Sequence, residues 1–519
     1  MQREFNRAGD EGNVAPDLAQ GRDPAERQMG VLRQPHKEDA MSVGIVGYGV
    51  YIPKYRIGRE IIGKAWSSGG RGESSVSYHD EDVITMGAEA SLNAITHSGI
   101  DSSTELDALY LGTDSYPHLE HSSLGIISEV LRTKEEMDLA DFTASPRASF
   151  AAFKACQDAI KANRIKYGLV VGSEARSTSP GSLEEMNCGD GAAAVLLGSE
   201  NTIAQIEATY TYSSNIVDRW READSPYPKE YEPRFTRDYG YQRHVLKGGM
   251  GLLDKLGAHM EDFQYVVLQQ PDARMVKKAA KALNLKPEQT QTADLFPLVG
   301  DLGAASVLMG LAAVLDQAKP GERILALTYG SGVSDAIALT VDERIEEKRN
   351  RAKTVDSYLK SKVELEDYVT FAKMKGTLKK DASPMKLGFP PASSALWRDG
   401  PEIRRLNGIK CRKCGYVNYP PSIRKVCIRC GDTEFEQVVL SRRGKVHTYC
   451  VSIYVPAPLQ SPQPIVIADL EDGNRYRALG TEIRTDNDIN VDMPVELVLR
   501  NIITQDGIGV YGNVFRPLR

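Results

Sequence analysis

The feature that most restricts the fold is a repeated alternation of short apolar strands and helical segments between residues 41 and 341. Such an alternation predicts an α/β fold, in which helices cover a sheet. A first series ends with predicted strands at 167–175 and 192–198, and a second series ends with strands at 323–332 and 335–341. Because the two series follow one plan, the sequence predicts an internally duplicated α/β fold.

The length and charge of the chain limit its organisation and its partners. At roughly 150 residues per unit, 519 residues correspond to about three modules. The net charge of -6 lacks the basic excess typical of nucleic-acid binding, and no apolar run approaches the roughly 18 residues of a membrane span. The N-terminal sequence also lacks an apolar signal-peptide core. We therefore expect a cytoplasmic protein that binds neither nucleic acid nor membrane.

Changes in composition along the chain suggest the domain boundaries. Residues 1–40 are polar without an apolar period, which predicts a disordered N-terminal arm. The α/β domain is expected at 41–380, followed by a linker at 381–400 that contains Pro, Ser and Gly. A zinc ribbon is predicted at 401–435. Short alternating strands separated by turns then predict a small β-barrel at 436–519.

Four of the seven cysteines form two C-x2-C pairs separated by twelve residues. They are Cys411, Cys414, Cys427 and Cys430. Two such pairs typically supply the four thiolates of a structural zinc site, and a glycine after each pair suits the tight turn. An iron–sulfur cluster and a ribbon that has lost its metal remain as alternatives. The odd number of cysteines in a chain without a secretory signal argues against a disulfide framework.

Several stretches carry a resemblance to a known family. They are GIVGYGVYIPKYRI, DEDVITMGAEA, IKYGLVVGSEA, PGSLEEMNCGDGAAA, PYPKEYEPRFTRDYGYQRHV, GLAAVLDQAKPGERIL and TYGSGVSDA. Residues 41–380 resemble the archaeal-type 3-hydroxy-3-methylglutaryl-CoA (HMG-CoA) synthase family of the thiolase superfamily. Residues 400–519 resemble the zinc-ribbon and OB-fold proteins that accompany these enzymes and help hold acyl-CoA. The resemblance implies a duplicated thiolase-like αβαβα fold followed by a zinc ribbon and an OB-fold barrel.

The resemblance also implies a catalytic set, which this sequence keeps only in part. In the family a cysteine at the start of a central helix is acylated, a histidine and a glutamate transfer protons, and an asparagine positions groups. Here Pro146 falls on the cysteine position and Gln269 on the histidine position. Asp301 falls on the asparagine position, and Glu81 alone keeps the match. Proline has no nucleophile, and glutamine cannot act as a base near neutral pH.

Neighbouring residues have both structural and functional interpretations. Ser145 is expected to cap the following helix, with proline at the first helical position, rather than to act as a nucleophile. Cys156 and Cys188 are expected to pack as small apolar side chains. Arg147 stands where the family often has lysine, and it would contact CoA phosphate or stay solvated.

Further candidates complete the predicted site. Tyr241 and His244 match a Tyr and a His of the family, so structural or substrate-lining roles are expected first. An aldol reaction would use Glu81, Asp301 and Tyr241 as proton carriers. Backbone N–H groups of Gly330, Ser331 and Gly332 would bind the oxyanion.

Two functions remain open at this point. The first is an enzyme that makes or breaks a C–C bond of an acyl-CoA thioester by aldol chemistry, without an acyl-enzyme. The second is a catalytically silent subunit that supplies scaffold or CoA-handling surface to a thiolase-like partner. Conventional HMG-CoA synthase activity would require a cysteine thiol from a position other than 146. By resemblance, the chain is expected to form a homodimer or a heteromeric complex.

Overall fold

The computed structural model describes residues 41–379, 392–456 and 459–519. The predicted N-terminal arm, residues 1–40, lies outside the described residues, as does the first part of the predicted linker 381–400. Within the described ranges, no helix combines the length and the apolar character needed to cross a bilayer.

Residues 41–379 alternate strands and helices as predicted. The strands are β1 Gly44–Tyr51, β2 Tyr55–Gly58, β3 Glu73–Val76, β4 Ala108–Gly112, β5 Asp138–Phe142, β6 Tyr167–Glu174, β7 Gly191–Gly198, β8 Ala204–Ser213, β9 Arg219–Trp220, β10 Lys229–Glu230, β11 Tyr265–Leu268, β12 Arg323–Leu327, β13 Val333–Val341 and β14 Val363–Leu365. The helices are α1 Arg59–Ala65, α2 Val83–Ser98, α3 Leu124–Leu131, α4 Ala148–Lys161, α5 Leu183–Asn187, α6 Pro233–Phe235, α7 Arg243–Leu256, α8 Ala273–Ala282, α9 Pro287–Thr290, α10 Phe296–Val299, α11 Ser306–Leu315, α12 Arg344–Lys348, α13 Val355–Lys360 and α14 Tyr368–Met374.

The main sheet confirms the predicted duplication. Among the described residues its strand order is β11-β12-β13-β8-β1-β7-β6-β4-β5. In the first half, β4 pairs parallel with β6, β6 antiparallel with β7, and β7 antiparallel with β1. In the second half, β11, β12, β13 and β8 repeat this pattern of pairings. The two halves join through antiparallel β1 and β8.

Helices cover both faces of this sheet, and one of them packs against strands of both halves. Every residue of β1, β6 and β7 is buried, as expected for strands covered on both sides. Helix α11 is buried at all its positions and packs against β1 and β7 of the first half and β11 and β12 of the second. Gly49 lets α2 approach β1 closely, because a Cβ there would collide with the backbone at Ala94.

The C-terminal part forms the predicted ribbon and barrel. Its elements are α15 Ser393–Arg405, β15 Asn407–Cys411, β16 Val417–Asn418, β17 Phe435–Val439, β18 Arg443–Ser452, β19 Gln463–Leu470, β20 Arg475–Leu479, β21 Pro494–Gln505 and β22 Ile508–Pro517. The barrel strands run in the order β20-β19-β18-β21-β22, and a bridge from Gly480 to Phe515 brings the two edges together. Helix α15 begins inside the segment predicted as the linker 381–400, so residues 393–400 are helical.

The barrel packs directly on the α/β domain. Tyr511 of β22 donates a hydrogen bond to Asp82 at 2.7 Å, and Arg516 pairs with Glu89 at 3.0 Å. The described residues from Met41 to Arg519 accordingly form one compact unit. The segment just before α2, which contains Glu81, therefore lies next to the barrel.

Candidate functional site

Pro146 lies in the turn that leads into α4. This helix begins at Ala148, with Arg147 at the N-cap position and no side-chain cap. The Ser145 carbonyl accepts the Ala148 N–H at 2.9 Å, whereas the Ser145 hydroxyl accepts only the Arg147 N–H at 3.4 Å. The prediction that Ser145 caps the helix is wrong, because this tight turn delays the start of the helix.

Arg147 is held by an ion pair. Its Nε lies 2.8 Å from Oδ2 of Asp335, and the other carboxylate oxygen lies 2.8 Å from Nζ of Lys154. These contacts hold the pKa of Asp335 below its usual range despite burial. The expectation that Arg147 stays solvated is wrong, because Asp335 already engages the guanidinium group.

The Gly330–Gly332 turn packs on the start of α4. A Cβ at Gly330 would collide with the Ser145 hydroxyl, so glycine is what allows this contact. Ser331 and Gly332 both have positive φ, 49° and 73°. The Gly330 N–H already donates to the Val333 carbonyl at 3.0 Å. The turn therefore lies beside position 146, but the Gly330 N–H is used within the turn itself.

A chain of hydrogen bonds connects several predicted site residues. The Tyr241 hydroxyl donates to the Gln269 carbonyl at 2.5 Å, and the Gln269 side-chain amide donates to the Gly303 carbonyl at 2.8 Å. The Gly303 N–H donates to Asp301 Oδ1 at 2.9 Å, and Arg176 Nη2 donates to Asp301 Oδ2 at 2.6 Å. The positions of the family histidine and asparagine therefore lie in one buried network, which we call the Asp301 network.

Tyr241 enters this network from an irregular helix. It lies in a π-helical turn, Thr236–Gln242, that leads into α7, and such turns are frequent at functional sites. Burial raises the pKa of Tyr241 above its usual range, and Asp301 adds to the shift. The phenol is therefore held neutral, as a hydrogen-bond donor.

His244 lies one turn further along and is fully buried. Its Nδ1 lies 2.6 Å from the Gly240 carbonyl, which assigns the proton to Nδ1, and its Nε2 lies 2.8 Å from the Ser214 hydroxyl. The rings of Tyr212 and Tyr329 pack against the imidazole. These contacts favour the structural role expected for His244.

Glu81 lies in a second buried network, at the contact with the barrel. Its Oε1 accepts a hydrogen bond from the Tyr51 hydroxyl and lies 3.0 Å from Nη2 of Arg500 on β21. Its Oε2 accepts the Tyr78 N–H at 2.7 Å. Burial raises the pKa of Glu81, and Arg500 opposes that rise. We call these groups, together with Glu482, the Glu81 network.

The three predicted proton carriers are thus not brought into one cluster. Tyr241 and Asp301 share the Asp301 network, whereas Glu81 belongs to the Glu81 network. Among the described residues, no hydrogen bond or ion pair joins the two.

Sequence reasoning missed two buried charged groups at the end of β6. Glu174 is fully buried and accepts the Ala304 N–H at 3.1 Å, and burial beside Asp114 raises its pKa well above the usual range. Arg176 pairs with Asp301 and is also buried. The only signal in the sequence was a pair of charged residues, Glu174 and Arg176, at the end of a strand that is otherwise uncharged.

The cysteines of the α/β domain lie away from the start of α4. Cys156 is fully buried and packs against Gly168, and burial raises its pKa. Cys188 lies beside Asp301, with which it forms a β-bridge, and burial raises the pKa of its thiol to about 11. The raised pKa values keep both thiols neutral. Cys156 is buried, as the packing prediction expects, whereas Cys188 is only half-buried.

The four ribbon cysteines converge on one point. One ligand atom from each lies within 4.8 Å of the others, and the pairs Cys411–Cys430 and Cys414–Cys427 bring their sulfurs to 3.6 Å. Zinc–sulfur bonds of about 2.3 Å in a tetrahedron place sulfurs about 3.8 Å apart, so the spacing fits zinc. Gly415 and Gly431 have φ of 71° and 76°, which confirms the predicted tight turns.

The comparisons with known sequences agree with the expected family. The chain is 38% identical to the hydroxymethylglutaryl-CoA synthase of Methanosarcina barkeri (strain Fusaro / DSM 804) over 351 residues, 66% of this chain and 100% of the relative. It is 39% identical to the synthase of Methanothermobacter thermautotrophicus over 345 residues, 65% of this chain and 99% of the relative.

Two sequence families match parts of the chain. Residues 253–341 match the C-terminal domain of 3-oxoacyl-[acyl-carrier-protein] synthase III. Residues 398–436 match the rubredoxin-like zinc ribbon domain of ChsH2. The second match supports the structural zinc site.

Solved structures show the same α/β fold. MvaS in complex with 3-hydroxy-3-methylglutaryl coenzyme A superposes with a TM-score of 0.59 at 18% identity, covering 66% of this chain and 95% of that one. The 3-oxoacyl-[acyl-carrier-protein] synthase III of Aquifex aeolicus VF5 gives 0.53 at 21% identity, covering 57% and 99%. The duplicated thiolase-like fold is thereby confirmed. With its α/β domain spanning the full length of such relatives and a zinc ribbon and barrel added, the chain belongs to the hydroxymethylglutaryl-CoA synthase family.

Proposed function

We propose that the chain binds an acyl-CoA thioester in its thiolase-like domain and forms or cleaves a C–C bond there by aldol chemistry, without an acyl-cysteine. The proposal rests on the residues found at two positions, 146 and 81. Pro146 occupies the turn before α4, where the family resemblance places the nucleophile, while Glu81 remains as a buried carboxyl group. Solved relatives bound to HMG-CoA or CoA support the class of ligand.

The proposed reaction needs a base and a stabilised enolate. Glu81 takes the proton from the carbon next to the thioester carbonyl, and the resulting enolate attacks a second carbonyl group. The carbonyl oxygen that is attacked becomes an alkoxide and takes up a proton to give the hydroxyl, so that the proton removed by Glu81 is returned overall; cleavage is the reverse. Burial raises the pKa of Glu81 above its usual range, which makes its carboxylate a stronger base than an exposed one. Asp301 and Tyr241 remain predicted proton carriers, and Arg147, His244 and the Gly330–Gly332 turn remain predicted to contact the substrate.

A silent subunit is the second candidate, and one observation favours it. The side chains at the family histidine and asparagine positions are both engaged within the protein, Gln269 with Gly303 and Asp301 with Arg176. A thiolase-like partner would then carry the chemistry. The oligomeric state and the cytoplasmic location stay predictions, as do the domain boundaries and the CoA-handling role of the barrel.

Exchange of the acyl-CoA α-hydrogens tests the proposal without a second substrate. The protein is incubated with acetyl-CoA in D2O, and deuterium at the α-carbon is measured by mass spectrometry. We expect exchange above the uncatalysed rate, lost at least about tenfold in Glu81→Gln.

Asp342→Asn is the matched control, because Asp342 bonds to Thr202 and belongs to neither network. Absence of exchange in the wild-type protein would reject the proposed base chemistry. If adding a thiolase-like partner produced turnover, and the Glu81→Gln variant gave the same turnover with that partner, the silent subunit would be the correct assignment.

A further inference from the structure

A cleft of about 510 Å³ lies at one edge of the main sheet, between β11, α8 and α9. Among the described residues the duplication is incomplete there. In the first half β5 lies outside β4, whereas the second half ends at β11, the counterpart of β4. Helix α9 and the turn after it contact β11 in place of a fifth strand. The volume falls in the range of small-molecule sites, about 300–1,000 Å³.

The strand and the helix that line this cleft, which we call the α8 cleft, present apolar side chains to it. Val266 and Leu268 lie two residues apart on β11, so they face the same side of the sheet, and both are buried. Val276 and Ala280 lie one turn apart on α8, and Leu285 follows the helix. These last three side chains are only half-buried. An alkyl chain in the cleft would therefore cover apolar surface that water now contacts.

The charged side chains that line the α8 cleft are Lys277, Lys281 and Asp294. The two lysines lie one turn apart on α8, and among the described residues neither forms an ion pair, whereas the neighbouring Lys278 pairs with Asp238 at 2.7 Å. Burial raises the pKa of Asp294, and the charge of Lys277 opposes that rise. Two lysines against one aspartate give the lining a net charge of +1. An anion with a single charge therefore complements it.

We propose that the α8 cleft binds a fatty carboxylate, with its alkyl chain between β11 and α8 and its carboxylate beside Lys277 and Lys281. A neutral apolar ligand would leave both ammonium groups without a counter-charge, and a cationic amphiphile would be repelled by them. None of the lining residues belongs to the Asp301 network or to the Glu81 network. The proposal therefore concerns a binding site separate from the candidate catalytic groups, and it does not depend on the reaction proposed above.

Isothermal titration calorimetry of the full chain with sodium dodecanoate, below its micellar concentration, measures this binding. We expect one site per chain. Across octanoate, decanoate and dodecanoate, the affinity should rise about fourfold for each CH2 group that enters the cleft. Dodecyltrimethylammonium has the same chain with a cationic head, and we expect it to bind at least about tenfold more weakly than dodecanoate.

Variants of α8 locate the site. Ala280→Phe places a ring in the cleft and should weaken dodecanoate binding at least about tenfold, because the ring takes the volume of the alkyl chain. The double variant Lys277→Gln/Lys281→Gln should weaken it by about fivefold, since both lysines are partly open to solvent. The controls are Ala282→Phe and Lys278→Gln, the same substitutions at positions of α8 that do not line the cleft. Both controls should bind dodecanoate like the wild-type chain.

Three results would overturn the proposal. The first is absence of dodecanoate binding to the wild-type chain; if Ala280→Phe then changes the oligomeric mass in light scattering, the cleft is an interface between copies of the chain. The second is equal binding of dodecyltrimethylammonium and dodecanoate. The third is unchanged dodecanoate binding in a folded Ala280→Phe variant. If Ala280→Phe does not fold, the double lysine variant decides, and unchanged binding in that variant rejects the proposal.

Discussion

Arg176 and Asp301 form a buried ion pair at the position where the family resemblance expects an asparagine. The distance between Arg176 Nη2 and Asp301 Oδ2 is 2.6 Å, and the side chains are 4% and 7% exposed. A carboxylate buried to this degree needs a counter-charge, and Arg176 supplies it. Asp301 and Arg176 therefore depend on each other, and the pair gives this chain a charged site where the resemblance implies a neutral amide.

Breaking this pair is expected to destabilise the fold strongly. Arg176→Met leaves Asp301 buried without its cation, which typically costs about 3–5 kcal/mol. The double variant Arg176→Met/Asp301→Asn removes both charges and should lose clearly less than the sum of the single variants. Urea unfolding measures the effect. Arg475→Met, in the exposed pair with Asp469, should cost below about 1 kcal/mol. If the double variant lost as much stability as the two single variants together, the pair would carry no coupling energy.

The absence of a thiol at position 146 predicts that no acyl-enzyme forms. After incubation with acetyl-CoA, intact-protein mass spectrometry should show no stable acetyl adduct, because the pKa of Cys188 is raised to about 11 and burial also raises that of Cys156. A neutral thiol is a poor nucleophile. Cys188→Ser provides the matched variant. An adduct on the wild-type chain that disappears in Cys188→Ser would overturn the reaction proposed here and identify a relocated nucleophile.

The ribbon cysteines predict about one tightly bound zinc per chain. Cys427→Ser should lose most of this zinc and lower the melting temperature, because structural zinc contributes directly to folding free energy. Cys450→Ser is the control, since Cys450 is exposed on β18 and lies outside the cluster. Elemental analysis decides the result, and stoichiometric iron with sulfide would instead support the iron–sulfur alternative.

Asp316 predicts a specific pH dependence of stability. It accepts hydrogen bonds from Tyr48 at 2.7 Å and from the Val355 N–H at 2.9 Å, and burial raises its pKa to about 6. The native state then binds more protons than the unfolded state between about pH 4 and pH 6, so the contribution of Asp316 is lost as the pH rises through this window. At about 1.4 kcal/mol per pKa unit, the loss is about 3 kcal/mol.

Comparison with Asp316→Asn isolates this contribution. Wild-type stability relative to the variant should fall from pH 4 to pH 6 in urea unfolding. Asp469→Asn serves as the control, because hydrogen bonding from Arg475 lowers the pKa of that exposed carboxylate, so its contribution changes only below about pH 4 and should stay flat from pH 4 to pH 6. A constant difference between wild type and Asp316→Asn across this range would contradict the assignment.

Sequence patterns predicted most of the α/β fold but missed two strands of its sheet. Strand β5, Asp138–Phe142, contains two aspartates, which are depleted from strands. Strand β8, Ala204–Ser213, has mostly half-buried positions and thus lacks a clear apolar run. Both depend on pairing with neighbouring strands, which local periodicity does not encode.

The sequence by itself determined the duplicated α/β plan and the four-cysteine ligand set. Apolar periodicity reports burial, and the four cysteines lie close enough along the chain for their spacing to define the ligand set. Only the tertiary structure decided which charges meet: Arg500 with Glu81, and Arg176 with Asp301. A buried charge is stable only beside a partner, and when that partner comes from a distant segment, no local pattern can identify it.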